Sequence, residues 1–151
     1  MNLKDIKVDS SKSEEGVWIE IDDGAELKIA RQQNKNYVRE MNKEFAARKI
    51  KLKSLGRLDS LVLREITLRI AAKTILLDWK GLFEGDKELK YSPEEAMRLM
   101  IDPDYQEFQN LVLELSDDAE HFRKEEIEES AKKSESSLPG SMSGVSTESS
   151  S

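Results

Sequence analysis

Near the start of the chain, apolar and polar residues alternate in two short runs separated by an acidic turn. Six apolar residues fall on one face if these runs pair as a hairpin: Val17, Ile19, Ile21, Ala25, Leu27 and Ile29. A three-residue loop ending at a left-handed Gly24 sets Ile21 opposite Ala25. A two-residue turn would instead set Ile21 opposite Glu26, apolar against charged. The pattern therefore predicts a hairpin over residues 17–31 in the first register, lying on helices or pairing with another chain.

Beyond the hairpin, the apolar residues recur every three or four positions, which is helical spacing. Four helices are predicted, over residues 34–51, 58–80, 93–101 and 102–129. In the first of them, Tyr37, Met41 and Phe45 share an inward face. The second is apolar on two sides, which is typical of a central helix. The sequence thus predicts a mostly α (α+β) fold, a compact bundle of about four helices with one N-terminal β-hairpin and a disordered C-terminal tail.

Local signals mark where the predicted helices start and stop. Ser92 is a good N-cap, Pro93 suits the first helical position, and Glu95 completes a capping box with Ser92. Gly81 suits the left-handed residue just past the second helix. Asp102 begins the fourth helix. The loop between Gly81 and Ser92 is therefore bounded on both sides by helices in this prediction.

The fourth predicted helix carries a heptad-like apolar stripe. Its members are Tyr105, Phe108, Val112, Leu115, Ala119 and Phe122. The simpler interpretation is that the stripe packs against the second helix. The alternative is a seam with a helix of another protein.

Composition divides the chain into three parts. Residues 1–15 are polar and predicted to be a flexible N-terminus, and residues 16–129 form a single helical domain with the hairpin at its start. Residues 130–151 contain ten serines and no aromatic residue. Such a segment buries too little apolar surface to offset the entropy of ordering, so it is predicted to be a disordered tail.

Charge is unevenly distributed in this chain, whose formal net charge is −7. Residues 28–80 carry +9, residues 102–129 carry −9, and residues 1–27 carry −5. Within one fold, the basic middle and the acidic last helix would neutralise each other. The alternative is weak self-association through a head-to-tail contact of opposite faces between copies.

Residues suited to catalysis or metal binding are sparse. The chain has no cysteine and a single histidine, His121, which lies between Glu120 and Phe122 on a predicted acidic helix. A helix-side histidine is the ordinary interpretation, against a catalyst or a metal ligand. Neighbouring acid pairs do not share a helix face, and the seven glycines are scattered rather than gathered in a phosphate loop. We therefore expect no enzyme activity, no cofactor and no metal site.

Two other classes of partner are judged from charge and hydropathy. The basic run over residues 48–57 could contact phosphates, so a small helical nucleic-acid-binding regulator is the alternative function, although the acidic last helix opposes it. No apolar run is long enough to cross a bilayer, and the first residues lack the apolar core of a signal peptide. We expect no membrane partner and a location in the cytoplasm.

One stretch, residues 75–100, joins an apolar segment to Trp79 and Gly81, a short polar loop, and a capped helix after Tyr91. This order resembles the tail assembly chaperone family of long-tailed, non-contractile (lambda-like) bacteriophages, over residues 16–129. The residues that match are Trp79, Lys80, Gly81, Leu82, Tyr91, Ser92, Glu94, Ala96, Leu99, Asp102, Phe108, Val112 and Phe122. The chain departs from many relatives at Leu82 and Phe83, where those become polar at once.

The resemblance implies a non-catalytic chaperone of the host cell cytoplasm that does not remain in the mature virion. The implied partner is the helical tape measure protein, which the chaperone keeps soluble while the tail tube assembles. In the family, ribosomal frameshifting often gives a longer form that recruits the tail tube protein. Lys132 and Lys133 could be encoded by a slippery codon run.

Aromatic residues often anchor protein interfaces, so they are the first candidates for partner binding. The candidate partner-binding residues are Trp18, Trp79, Lys80, Gly81 and Tyr91. Trp18 could instead cover a helix, and Trp79 could be ordinary core.

Overall fold

The computed structural model describes residues 1–123, except the side chains of Leu52 and Leu55. The predicted tail, residues 130–151, lies outside this range. Two compact units are distinguished, of which residues 8–122 form the larger. In the smaller unit, Leu3–Ile6 form a 3-10 helix and the Asn2 side chain accepts a hydrogen bond from the Lys4 N–H.

The larger unit contains five helices and five short strands. The helices are α1 (Ser10–Glu15), α2 (Lys35–Ala47), α3 (Ser60–Thr74), α4 (Pro93–Ile101) and α5 (Gln106–Asp117). The strands are β1 (Val17–Glu20), β2 (Glu26–Ile29), β3 (Leu76–Lys80), β4 (Phe83–Glu84) and β5 (Lys87–Glu88). Short 3-10 helices cover Leu52–Arg57, Pro103–Tyr105 and Ala119–Phe122. The fold is mostly α with a small antiparallel sheet, so the predicted class is confirmed. The stretch 1–15, predicted to be flexible, contains α1 and the first 3-10 helix.

The N-terminal hairpin has the predicted register. Val17 lies opposite Ile29, and Ile19 lies opposite Leu27. The Ile21 N–H donates to the Ala25 carbonyl at 2.8 Å, and Gly24 has a φ of +81°. This register keeps the apolar residues of both strands on one face. The alternative turn would have placed apolar residues opposite charged ones.

The hairpin is completed by a third strand where the sequence predicted a helix. The second predicted helix, residues 58–80, is wrong in its last six residues, because α3 ends at Thr74 and β3 begins at Leu76. β3 pairs antiparallel with β2 and gives a sheet of order β1–β2–β3. Gly81 is left-handed as predicted, with a φ of +69°, but it follows a strand rather than a helix.

Polar caps set the helix starts that the sequence predicted. The Asn34 side chain accepts from the Tyr37 N–H, and the Ser92 hydroxyl accepts from the Glu95 N–H at 3.0 Å. The Ser92 half of the predicted capping box therefore forms. The Glu95 carboxylate instead accepts a hydrogen bond from Arg98. The first predicted helix, residues 34–51, is too long, because α2 ends at Ala47.

The last predicted helix is also shorter than expected. α5 ends at Asp117, not at residue 129, because Asp118 has an extended backbone conformation. A 3-10 turn then returns Phe122 to the core, where it is fully buried. The apolar stripe is thus shared between a helix and a turn. The backbone of α5 lies against α4 and β2, and its side chains reach α3 through a hydrogen bond from Arg64 to Asn110.

The core lies between the inner face of the sheet and the helices. As predicted, α3 is central, and it packs against both α2 and α4. Side chains buried in this core include Leu27, Ile29, Ile66, Ile70, Ile75, Leu76, Met100, Val112 and Phe122. The sheet therefore has one covered face and one face open to solvent.

Candidate partner-binding face

Strand pairing places the two tryptophans on opposite faces of the same sheet. Ile19, Leu27 and Trp79 form one row across the three strands, and this row faces the core. The neighbouring row of Trp18, Lys28 and Asp78 faces outward. Side chains alternate between faces along a strand, so this difference follows from register alone.

Trp79 is buried on the inner side of the sheet, where its ring contacts that of Tyr91. Its side chain is 4% exposed, and its Nε1–H donates to the Leu89 carbonyl at 2.8 Å. The ring of Tyr91 meets it edge-on, with centroids 5.0 Å apart and planes at 79°. Buried tryptophan needs a partner for its N–H, and the segment after β5 supplies it.

Tyr91 supports this contact from a half-buried position. Its hydroxyl approaches the Leu76 carbonyl at 3.5 Å, at the other end of β3. Burial raises the pKa of Tyr91 above its ordinary value, and the nearby charges of Asp78 and Glu94 add to the effect. The neutral phenol is therefore the form that fits this place.

Gly81 turns the chain away from the sheet immediately after β3. Its left-handed backbone favours glycine, and a Cβ at this position would lie 3.4 Å from the Cα of Ala25. Gly81 is exposed. It lies close to Gly24 and Ala25, so the end of β3 is near the hairpin loop. Its role in the fold is that of a turn residue.

Trp18 presents its ring on the open face of the sheet. Its side chain is 38% exposed, and the Lys80 ammonium lies 4.2 Å from the ring centroid. This is a cation–π contact reaching diagonally across β2. Other charged residues on the same face are Glu20, Glu26, Lys28 and Asp78. We call the exposed side of the three strands the outer sheet face. Its aromatic residue is Trp18, on the edge strand β1.

The five predicted partner-binding residues thus fall into two groups. Trp18 and Lys80 lie together on the outer sheet face, and Gly81 follows at its edge. Trp79 and Tyr91 lie behind it and contact each other. The residues of the first group are exposed, while those of the second contact each other behind the strand that carries Lys80.

An ionic cluster missed by the sequence analysis joins the β4–β5 hairpin to the helices. Arg98 bonds both oxygens of Glu84 at 3.2 Å and both oxygens of Glu95 at 2.9 and 3.0 Å. Tyr105 also donates to Glu84. The Tyr105 hydroxyl and then Arg98 lower the pKa of the Glu84 carboxyl. Only the pairing of Glu95 with Arg98, three residues apart on one helix, was visible in the sequence.

Groups that could carry chemistry are engaged in local structural contacts. His121 lies in the 3-10 turn after α5, with its Nε2 3.5 Å from the Asp118 carboxylate. Across residues 1–123, no three His, Cys, Asp or Glu side chains gather as metal ligands would. Among the helices of that same range, none has the length and hydropathy needed to span a bilayer.

Comparison with protein families gives a match over most of the chain. A family model described as YdaY prophage protein matches residues 23–133. Neither the curated proteins nor the solved structures contain a match to the chain. The matched range runs from the hairpin loop through all the helices from α2 to α5, most of the chain. This protein therefore belongs to the YdaY prophage protein family.

Proposed function

We propose that the chain is a phage tail assembly chaperone, a non-catalytic protein that binds the tape measure protein and keeps it soluble while the tail tube assembles. Membership of a prophage family supports a role in phage biology. The sequence around Trp79, Gly81 and Tyr91 resembles that of tail assembly chaperones, and this resemblance supports the tail chaperone function in particular. In this proposal the protein acts in the host cell cytoplasm and is absent from the mature virion.

The outer sheet face is the observation that carries the proposal. An aromatic ring 38% exposed among side chains of both signs is typical of a binding surface, since aromatic anchors dominate interface energies. A helical partner such as the tape measure protein would bury Trp18 under its own apolar stripe. The flanking charges Lys28, Asp78 and Lys80 would then fix its orientation.

A chaperone of this kind needs reversible contact rather than a covalent step. Lys80 covers part of Trp18 in the free protein, and a partner displaces or sandwiches it without rearranging the sheet. The Trp79–Tyr91 contact beneath holds β3 in place. In this proposal the outer sheet face binds without a change in its backbone, which lowers the entropy lost on binding.

A longer frameshifted form would extend the same platform to a second partner. The proposal assigns the tail tube protein to that extension, as the resemblance implies. Lys132 and Lys133, the residues considered for the shift, lie outside the described residues. Sequencing the gene and detecting the longer product by mass spectrometry tests this part separately.

Co-expression with the tape measure protein encoded beside this gene tests the function. We expect the wild-type chain to co-purify with it and to raise its soluble yield. Trp18→Ala should lower the co-purified amount by about ten-fold, the scale of an interface anchor. Phe83→Ala is the matched control, because Phe83 is 58% exposed but lies on the β4–β5 hairpin. Failure of the wild-type chain to co-purify or to improve solubility would contradict the proposal.

One observation favours a nucleic-acid-binding regulator as the second candidate. Lys49, Lys51, Lys53 and Arg57 are exposed, and no carboxylate within residues 1–123 forms an ion pair with them. Phosphate contacts would make binding fall steeply with salt. Retention on immobilised duplex at low salt, lost as salt rises, would support this candidate, and no retention at low salt would exclude it.

A further inference from the structure

The strand β1 has one edge that faces away from the rest of the sheet. Among the strands of residues 1–123, β1 pairs with β2 alone. The Ile21 N–H donates to the Ala25 carbonyl, and in an antiparallel pair every second residue bonds across, so Ile19 also faces β2. The N–H and C=O groups of Trp18 and Glu20 therefore point outward. No group in the described part of the chain forms a hydrogen bond with them.

The opposite edge of the sheet, on β3, is covered by side chains. The Trp79 N–H donates to the carboxylate of the neighbouring Asp78 at 2.7 Å. The Tyr91 hydroxyl approaches the Leu76 carbonyl at 3.5 Å. Proteins commonly block strand edges in such ways, because an open edge pairs with other chains. The edge of β1 is therefore the place where this sheet can accept a further strand.

The sequence along β1 has the same apolar pattern in both directions. It reads Val17, Trp18, Ile19, Glu20 and Ile21, with the apolar residues at the odd positions that face the core. A second β1, antiparallel about a two-fold axis at Ile19, would set Trp18 opposite Glu20 and Val17 opposite Ile21. Each outward N–H would then meet an outward C=O. A shift by one residue would instead set Trp18 opposite Ile19, whose backbone groups already bond to β2.

Charges on the outer sheet face favour the same arrangement. In the single chain, Glu20 lies directly opposite Glu26, and like charges in that position repel. The Lys80 ammonium lies 4.2 Å from the centroid of the Trp18 ring. In the pair, Glu20 of the second copy would stand beside Trp18 on the same face, within reach of that ammonium. A second copy thus supplies a cation for Glu20 as well as partners for the backbone.

We propose that two copies of the chain pair through the outer edges of β1, so that their three-stranded sheets become one continuous sheet. The contact is isologous, because the same strand serves both copies, and it differs from the head-to-tail contact considered from the sequence. At each end, Glu15 of one copy would approach Asp23 of the other. Their repulsion limits the pairing to residues 17–21 and keeps the association weak.

The occupant of the edge is a second copy rather than an unrelated strand. Any extended segment could satisfy the outward backbone groups of Trp18 and Glu20. A second β1 also continues the apolar inner face and places a carboxylate beside Lys80. The dimer does not rest on the proposed function, since the outer sheet faces of both copies stay exposed in it.

Sedimentation equilibrium of the full chain over a wide concentration range tests the dimer. We expect a weak, reversible monomer–dimer equilibrium. Glu20→Pro removes an outward N–H, which an edge strand accepts because that group bonds to no other strand. It should raise the dimer dissociation constant by about ten-fold or more. Glu20→Gln is the matched control: it also lacks the carboxylate but keeps the N–H, so it should weaken the dimer less. Circular dichroism shows whether each variant keeps its fold.

Amide hydrogen exchange, followed by NMR, tests the edge in the unmodified chain. The N–H groups of Trp18 and Glu20 should exchange rapidly in dilute protein and more slowly in concentrated protein. The N–H of Ile19 faces β2, so it should be protected at both concentrations. This measurement requires no substitution, so it remains decisive if Glu20→Pro fails to fold.

Charge reversal tests the contact between Glu20 and Lys80. Glu20→Lys and Lys80→Glu should each raise the dimer dissociation constant by about two- to five-fold, the scale of an exposed ion pair. Combining them should return the constant towards the wild-type value, because opposite charges meet again. Lys87→Glu is the control, since Lys87 is exposed on β5, outside the three-stranded sheet. It should leave the constant unchanged.

Four results would overturn the dimer. They are a chain that stays monomeric at all concentrations, exchange at Trp18 and Glu20 that does not depend on concentration, a Glu20→Pro dimer as tight as that of Glu20→Gln, and a charge-reversed pair no tighter than either single variant. A monomer whose Trp18 and Glu20 amides become protected only when the tape measure protein is added would assign the edge to that partner instead.

Discussion

Trp18 and Trp79 are the two tryptophans of this chain, and they lie on the same small sheet with opposite fates. Trp79 is covered on the inner side, where Leu89 and Tyr91 contact it. Trp18 keeps more than a third of its surface in solvent and contacts Lys80. The same residue type is therefore part of the core at one position and exposed to solvent at the other.

The two tryptophans differ in exposure because side chains alternate between the two faces along each strand. On β1 the residue that faces the core is Ile19, so its neighbour Trp18 must face outward. On β3 the core-facing position falls on Trp79 itself. The outer sheet face can be probed without disturbing the fold only if this assignment of faces is right.

The largest effect is expected from removing the inner ring. Trp79→Ala should lower the free energy of unfolding by about 3–5 kcal/mol, because it leaves a cavity against Tyr91 and Leu89. Urea denaturation measures this change. Trp18→Ala, measured in parallel, should cost clearly less, because more than a third of its side chain is already in solvent. Equal losses from the two variants would mean that both faces are covered.

A smaller loss is expected when an aromatic ring is kept at this position but the indole N–H is removed. Trp79→Phe leaves the Leu89 carbonyl without its donor, which should cost about 1–3 kcal/mol. Both variants lack the hydrogen bond to Leu89, so the difference between them measures the packing of the phenyl ring. If Trp79→Phe were as stable as the wild type, the bond to Leu89 would contribute nothing.

Alkaline pH should weaken the inner side selectively through Tyr91. Because the folded-state pKa of Tyr91 is raised, its contribution is fully present below the unfolded pKa of about 10 and is lost as pH rises through the folded value. Urea denaturation from neutral to alkaline pH should show a smaller decline for Tyr91→Phe than for the wild type. Identical declines would contradict the assignment, since other titrating groups are common to both proteins.

The smallest effect is expected on the outer side. Lys80→Gln removes the cation over Trp18 and should cost about 0.5–1 kcal/mol at most. In a Trp79→Phe background, Trp18 is the sole tryptophan, so its fluorescence reports the change directly. An emission spectrum unaffected by Lys80→Gln would show that the contact is absent in solution.

Sequence patterns predicted local structure well where one face alone decides it. The hairpin register followed from six apolar residues, and the start of α4 followed from Ser92 and Pro93. The outward position of Trp18 followed from the same alternation. These are cases in which neighbours along the chain carry all the information.

The strand β3 could not be predicted in this way. Ile75 and Trp79 continue the spacing of the preceding helix, so the helical pattern extends smoothly to Lys80. What stops the helix is the open edge of β2, whose hydrogen bonds β3 satisfies. Trp79 is buried because it lies on β3. Since the sequence did not predict β3, it could not decide whether Trp79 belongs to the core or to a binding surface.

The end of α5 was missed for a related reason. The apolar stripe continues to Phe122 at helical spacing, although the backbone becomes extended at Asp118. Phe122 reaches the core from a 3-10 turn instead. Likewise, Leu61 and Ile101 line one surface groove although they are about forty residues apart, and no local pattern connects them.

The position of β3 also bears on how the newborn chain acquires its shape. Residues 30–75 separate β2 from its second neighbour, so the hairpin leaves the ribosome well before the strand that completes the sheet. Contacts this distant in sequence form slowly, because a long loop must close first. Until Lys80 has been translated, β2 has no strand to pair with on its second edge. The core that buries Leu27 and Ile29 is complete only after Met100, Val112 and Phe122 have also been translated.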